Sequence, residues 1–220
     1  HFVAGMLWAS LMAPAAFIHA QNYPNKPIRM VTSPPGGGSD FAARMIAPAM
    51  SAGLGQTVVV DNRPFTGIEA TAKAAPDGYT LLYYGSVLWL MPLLREHVGW
   101  DPAKDFAAVT LAVTAPNVLV VHSSVAAKSV SELIALAKSK PGSLNFPTGG
   151  TGSSSSLAAE LFKAMAAINV VEIPFSGSGP ALLSILGGQT QFMFPSAGGA
   201  APHVKSGKLR ALAVSSAEPS

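Results

Sequence analysis

Four stretches rich in glycine and hydroxyl side chains carry the residues of this sequence that could bind an anion. They are residues 33–40 (SPPGGGSD), 84–86 (YGS), 148–156 (TGGTGSSSS) and 175–180 (FSGSGP). Glycine lets the backbone approach a ligand closely, and Ser and Thr add hydroxyl donors. The first, third and fourth stretches each precede a predicted helix, whose N-terminus presents unpaired N–H groups and a partial positive charge. This pattern predicts a binding site for a carboxylate or a phosphate.

Each stretch taken alone has a second interpretation, as an ordinary turn followed by a helix cap. Asp40 is typical of a capping residue rather than a catalytic acid, and Ser153–Ser156 could be a capping cluster. Both interpretations stay open for any single stretch. Three such loops at corresponding strand ends favour an anion-binding cleft.

The motifs of common enzyme and nucleotide sites are missing from the sequence. There is no G-x-S-x-G elbow, no G-x-x-x-x-G-K-[ST] loop and no G-x-G-x-x-G turn. The carboxylates include no tight pair suited to acid–base catalysis. Binding is therefore favoured over catalysis.

Four aromatic residues near these stretches are interpreted as core: Tyr83, Tyr84, Trp89 and Trp100. Contact of Tyr84 or Trp89 with a ligand is the alternative.

The elements that must position these loops alternate between strands and helices. Strands are predicted at 28–33, 57–62, 79–85, 109–113, 117–122, 143–148, 170–175, 190–194 and 209–216. Helices are predicted at 40–55, 129–140, 154–166, 179–188 and 201–208, and a short helix followed by a turn at 71–78. Alternation of this kind implies an α/β fold with parallel sheets covered by helices, and residues 113–117 suit a crossover between two lobes.

Composition excludes several classes of function. The 14 Lys and Arg are dispersed and the net charge is only +3, which argues against nucleic acid as a partner. The chain has no Cys, and its five His include no pair at metal-ligand spacing. We therefore expect no metal and no cofactor.

Residues 1–20 are uncharged and mostly apolar, and a polar segment follows them. This pattern indicates a secretory signal cleaved near Ala20, with Ile18 and Ala20 at the recognition positions. The absence of a starting Met and of a basic leader suggests that the signal is incomplete at its N-terminus. A transmembrane anchor is the alternative, against which Pro14 and the short apolar length count.

Several segments in order resemble the receptors of tripartite tricarboxylate transporters, also called Bug proteins. They include YPNKPIRMVTSPPGGGSD, LGQTVVVDNRP, APDGYTLLYYGS, FSGSGPALLSILGGQTQFMF and PHVKSGKLRALAVSS, and the resemblance runs from Tyr23 to Ser216. It implies a two-lobed periplasmic-binding-protein fold (type II-like), with lobe 1 at 21–115 and lobe 2 at 116–220. It also implies a monomeric periplasmic receptor that binds a small mono-, di- or tricarboxylate, or an aromatic acid, and passes it to membrane permease subunits. Family chains continue beyond the segment matching 209–220, so the C-terminal part would be missing and lobe 1 would expose an apolar face.

The resemblance also implies which residues bind the ligand. These are Pro35, Gly36, Gly37, Gly38, Ser39, Asp40, Gly85, Ser86, Thr148, Gly150, Thr151, Gly152, Ser153, Ser154, Phe175 and Ser176. Departures from the common pattern are Ser33, Ser156, Phe175, Ser176 and Pro195, which implies a ligand whose far end differs from the usual one.

Two other functions stay open. One is a sensor that reports ligand occupancy to a signalling partner. The other is an exported hydrolase that uses one of Ser153–Ser156 as nucleophile and His122 or His203 as base.

Overall fold

The structure is a computed structural model that describes residues 23–217. In chain order its elements are β1 (Ile28–Thr32), α1 (Gly38–Leu54), β2 (Val58–Asn62), α2 (Thr66–Ala72), β3 (Thr80–Tyr83), α3 (Val87–Leu94), β4 (Val118–His122), α4 (Val130–Ser139), β5 (Asn145–Thr148), α5 (Ser154–Ala166), β6 (Val171–Pro174), α6 (Ser178–Leu186), β7 (Phe192–Met193), α7 (Ala197–Lys205) and β8 (Leu209–Val214). The expected signal segment, with Ile18 and Ala20, lies outside the described residues.

The first half of the chain folds around a parallel sheet in the order β2-β1-β3. Thr32 at the end of β1 is in register with Asn62 on β2 and with Tyr83 on β3, so the three strands end at one edge. Helix α1 packs Ala43 and Ala47 against the apolar side chains of β1 and β2. The edge where the strands end is therefore the place where the following loops meet.

The second half contains two further sheets. β5 and β6 are parallel, whereas β4 lies between β7 and β8 and is antiparallel to both. The backbone N–H of Gln191 donates to the carbonyl of Asn145 at 2.9 Å, which links the two sheets just before β7. The rings of Phe146 and Phe192 lie 5.3 Å apart in the core that both sheets share.

The predicted two-lobed α/β architecture, with parallel-rich sheets flanked by helices, is confirmed. The direction of β7 and β8 differs from the prediction of parallel pairing, because a short apolar run gives no information on strand direction.

The strand predicted at 109–113 is wrong. These residues form no regular structure, and Val109 and Leu111 are 84% and 79% exposed. An apolar run becomes a strand only where a neighbouring strand can satisfy its backbone groups, and none pairs with it here. The segment instead connects the two halves of the chain, as the crossover prediction for the neighbouring residues requires.

Two surface properties bear on the expectations from sequence. Phe41 and Met45 on α1 are 50% and 65% exposed, which gives the first half an apolar surface.

Within residues 23–217, the helices lack the combination of length and apolar character that crossing a bilayer would require.

Candidate functional site

A cavity of about 900 Å³ lies where the loops of the two halves face each other. Its walls come from the loops after β1, β3, β5, β6 and β7, and from one face of α1. The residues used below that line it are Gly38, Ser39, Phe65, Tyr83, Tyr84, Gly85, Ser86, Arg95, Asn117, Gly150, Thr151, Ser153, Ser154, Ser155, Phe175, Ser176, Gly177, Ser178 and Ser196.

Five helices point their N-termini at this cavity. Their N-cap residues are Gly37 for α1, Ser86 for α3, Ser153 for α5, Gly177 for α6 and Ser196 for α7. Four of these caps line the cavity, as does Gly38, which follows Gly37. Each N-terminus offers unpaired N–H groups and a partial positive charge, so the cavity favours an anion.

The two halves approach each other closely because glycine stands at the contacts. A Cβ atom on Gly179 of α6 would lie 2.0 Å from the carbonyl oxygen of Pro35. A Cβ on Gly38 of α1 would lie 2.6 Å from the hydroxyl oxygen of Ser196. These contacts bring the N-termini of α1, α6 and α7 together, which no larger residue at the two glycines would permit.

A hydrogen bond joins the halves on the other side of the cavity. The hydroxyl of Ser86 donates to the carbonyl of Gly152 at 3.1 Å. The N-terminus of α3 is thereby held beside the loop that leads into α5.

A hydrogen-bond network around the partly buried carboxylate of Glu172 supports the loop between β5 and α5. The hydroxyl of Thr148 donates to Oε1 of Glu172 at 2.6 Å and accepts from the N–H of Gly150 at 3.3 Å. The hydroxyl of Ser156 donates to the same carboxylate oxygen at 2.9 Å. Thr148 is fully buried and Ser156 is 6% exposed. Glu172, which the sequence did not single out, therefore holds the base of a cavity-lining loop.

The carboxylate of Asp40 binds groups of the protein itself, and its predicted contact with a ligand stays a prediction. Its carboxylate accepts from the N–H of Gly36 at 3.0 Å, from Arg44 at 2.9 Å and from Asn62 at 2.7 Å. It does not line the cavity. The N-cap of α1 is Gly37, so Asp40 is not the capping residue itself. It lies in the first turn of the helix, and its carboxylate reaches back to the N–H of Gly36, as the acidic residue of a capping box does.

The structure brings ten of the sixteen predicted ligand residues to the cavity wall. These ten are Gly38, Ser39, Gly85, Ser86, Gly150, Thr151, Ser153, Ser154, Phe175 and Ser176. The other six are not part of the wall: Pro35, Gly36, Gly37, Asp40, Thr148 and Gly152. They lie behind it because Pro35 and Gly36 pack against Gly179, Thr148 bonds to Glu172, and the carbonyl of Gly152 accepts from Ser86.

Several lining residues were not among the sixteen predicted ligand residues. Ser178 lies in the predicted stretch 175–180 without having been assigned to the ligand, and Ser196 caps a helix after a strand, the same signal that identified the other loops. Phe65, Arg95 and Asn117 carry no such signal, because only folding brings them to the cavity.

Two tyrosines line the cavity as neutral phenols. Burial raises the pKa of both Tyr83 and Tyr84, that of Tyr84 to about 12. The hydroxyl of Tyr84 donates to the carbonyl of Arg63 at 3.2 Å. Its prediction as a possible ligand contact stays a prediction.

The two tryptophans differ in burial. Trp100 is a core residue, as predicted, and its indole N–H donates to the carbonyl of Leu88 at 2.8 Å. For Trp89 the core prediction is wrong, because its side chain is 54% exposed.

The serines of the hydrolase hypothesis bond to other partners. Ser153 and Ser155 hydroxyls lie 3.0 Å apart, Ser154 donates to Asn117 at 3.4 Å, and Ser156 donates to Glu172. His122 bonds to the hydroxyl of Ser124 at 2.7 Å. In residues 23–217 no histidine therefore pairs with these four serines, and no cluster of three acidic or His side chains could hold a metal ion.

Comparison with known proteins places this arrangement in a family. A profile described as "Tripartite tricarboxylate transporter family receptor" matches residues 42–220. A UPF0065 protein of Bordetella bronchiseptica is 40% identical over 94% of this chain, and protein BugT of Bordetella pertussis is 38% identical over 93%. The chain spans 63% and 65% of the length of these two relatives.

Three solved structures of periplasmic or ligand-bound proteins are similar to this chain over most of its length. An R. palustris protein with adipate has a TM-score of 0.85 at 32% identity, covering 89% of this chain and 68% of that one. The protein MatC of Rhodopseudomonas palustris with bound malate has a TM-score of 0.78 at 30% identity, covering 89% of this chain and 69% of that one. The periplasmic binding protein BugD has a TM-score of 0.86 at 29% identity, covering 90% of this chain and 68% of that one.

Proposed function

This chain belongs to the tripartite tricarboxylate transporter receptor family, and on that premise we propose that it captures a small organic acid in the cavity between its halves. The receptor acts in the periplasm as a monomer, closes around the acid by a hinge motion, and delivers it to the permease subunits of such a transporter.

The observation that carries the proposal is the convergence of five helix N-termini on one cavity. Of the described residues that line it, none is acidic, whereas sixteen are glycine or serine. Helix N–H groups and hydroxyls can replace the water around a carboxylate without a buried counter-ion. The adipate and malate carried by two similar structures support a carboxylate as the ligand.

The lobes proposed from sequence, 21–115 and 116–220, are compatible with the sheet topology. β1, β2 and β3 lie within the first range and β4 to β8 within the second. The extended segment before β4 is where we expect the hinge, since it has no regular structure of its own.

The test is calorimetric titration with adipate and malate, each compared with its uncharged diamide. We expect the acids to bind and the diamides to bind at least about tenfold more weakly, because only the acids gain charge-assisted hydrogen bonds. A matched pair of variants locates the site at Ser176, which is exposed and lines the cavity.

Ser176→Glu places a negative charge beside the helix N-termini, and Ser176→Gln adds nearly the same volume without the charge. We expect the Glu variant to lose acid binding and the Gln variant to retain most of it, since like charges repel. Equal binding by both variants would contradict the location of the site, and tighter binding of the diamides would contradict the anion assignment.

A further inference from the structure

Arg95 is the one charged side chain among the described residues that line the cavity. It follows the last residue of α3 and is exposed. No local sequence signal identifies it, because the binding loops account for an anion without any cation. Its position needs a separate explanation.

The described part of the chain gives Arg95 no polar side-chain partner. Arg29, Arg44 and Arg63 each pair with an aspartate. Arg210 donates to the carbonyls of residues 125 and 127. The guanidinium of Arg95 instead lies 5.6 Å from the centre of the Phe65 ring.

The contact with Phe65 holds the guanidinium without using its N–H groups. A cation at this distance from the centre of an aromatic ring is attracted by the ring, which takes up none of the N–H donors. Phe65 also lines the cavity. The pair therefore presents hydrogen-bond donors to a ligand in the cavity.

Arg95 lies at the opposite end of α3 from the anion-binding loops. Ser86 caps the N-terminus of the helix, and nine residues at 1.5 Å per residue put the Arg95 backbone about 13 Å along the axis. The C-terminus of a helix carries a partial negative charge, so an anion is held at this end only if a cation is present. The two ends of α3 thus offer two separate positions for anionic groups along one wall.

We propose that Arg95, oriented by Phe65, determines specificity by binding the second anionic group of an elongated ligand whose first carboxylate occupies the helix N-termini. The inference rests on the proposed function and narrows its ligand class to acids charged at both ends. Monocarboxylates of the same chain length occupy only the first position.

The test measures the affinity for adipate and for hexanoate, which share a six-carbon chain and differ by one carboxylate. We expect Arg95→Gln to weaken the affinity for adipate about tenfold and to change the affinity for hexanoate less than about twofold, since only adipate loses a charge-assisted hydrogen bond. Arg95→Lys keeps the charge without the fork and is expected to retain part of the adipate preference.

Arg29→Gln is the matched control. It removes the same charge from a residue on β1 that pairs with Asp61 at 3.9 Å, outside the cavity lining, and is expected to change neither affinity. Higher salt should reduce the difference in adipate affinity between the wild type and Arg95→Gln, because salt screens the exposed charge of Arg95.

The outcomes separate the two proposals. The role of Arg95 is overturned, while the proposed function stands, if the wild type and Arg95→Gln bind adipate with equal affinity. The same holds if Arg95→Gln loses as much affinity for hexanoate as for adipate. If the wild type binds hexanoate or malate but not adipate, this inference fails while the proposed function stands. If the wild type binds none of the three acids, the proposed function fails and this inference fails with it.

Discussion

Replacing Glu172 with alanine should destabilise the protein and weaken ligand binding together. The carboxylate accepts the hydroxyls of Thr148 and Ser156, both of which are buried. Alanine removes the acceptor and leaves both hydroxyls without their partner. Thr148 also accepts from the N–H of Gly150, so the loss reaches the wall of the cavity.

The magnitude follows from the two orphaned groups. A buried donor left unsatisfied costs about 1–3 kcal/mol, so the pair would cost roughly 2–6 kcal/mol without relaxation. A serine hydroxyl in a helix can donate instead to a carbonyl of the preceding turn. We therefore expect Glu172→Ala to lower the free energy of unfolding by about 2–4 kcal/mol. Glu172→Gln keeps an oxygen acceptor and loses only the charge, so we expect about 1–2 kcal/mol.

The assay is urea unfolding with linear extrapolation, in parallel with calorimetric titration of adipate. Glu160→Ala is the control, since it removes the same charge from a half-exposed pair with Lys163 at 3.4 Å and is expected to cost less than about 1 kcal/mol. In a Thr148→Val background, Glu172→Ala should cost about 1–3 kcal/mol less, because one orphaned hydroxyl is then absent.

Two results would refute this reasoning. One is a Glu172→Ala variant as stable as Glu160→Ala, which would mean that the hydroxyls do not depend on the carboxylate. The other is strict additivity of Glu172→Ala and Thr148→Val, which would mean that the two residues are not coupled.

Three further predictions concern glycine, a phenol and a helix cap. Gly53→Ala in α1 should stabilise the protein by about 0.4–1 kcal/mol in thermal or urea unfolding, because its Cβ would meet nothing within 4 Å. Gly179→Ala should destabilise the protein, because its Cβ would meet the carbonyl of Pro35. If Gly179→Ala were the more stable of the two variants, the packing of the halves would be contradicted. The pKa of the Tyr84 phenol is raised from its ordinary value of 10 to about 12 in the folded state, so its contribution to stability is complete below pH 10 and is lost between pH 10 and about 12. Tyr84→Phe should therefore lose less stability over this pH range than the wild type. An unchanged dependence of unfolding on pH would count against this prediction. Ser153→Ala removes the side-chain cap of α5 and should cost about 0.5–2 kcal/mol in the same unfolding assay, while no change would show that the cap bond is not needed.

Much of the candidate site was predictable because its signals are local. A glycine and serine stretch between a strand and a helix can be recognised from neighbouring residues alone, and the stretches beginning at 33, 148 and 175 all reach the cavity. The helix at 154–166 was predicted with the bounds that the structure has. Capping, turn and period signals act within a few residues, which is the range that a sequence displays.

The remaining features depend on contacts between distant parts of the chain. Glu172 meets Thr148 across 24 positions, and Arg95 meets the ring of Phe65 across 30, so neither pair forms a motif. The direction of β8 beside β4 was likewise not predictable, because an apolar strand packs equally well either way until its partners are in place.

The sequence by itself determined the α/β alternation and the glycine- and serine-rich loops at the strand ends, and it predicted an anion as the ligand, since these follow from backbone freedom, hydroxyl donors and helix N-termini. Only the tertiary structure decided which of those loops meet and that the carboxylate of Asp40 binds Arg44 and Asn62. It also decided that Arg95, which has no polar side-chain partner within residues 23–217, lines the cavity. The physical reason is that local propensity fixes what each segment is, whereas packing across the chain fixes which groups a ligand can reach.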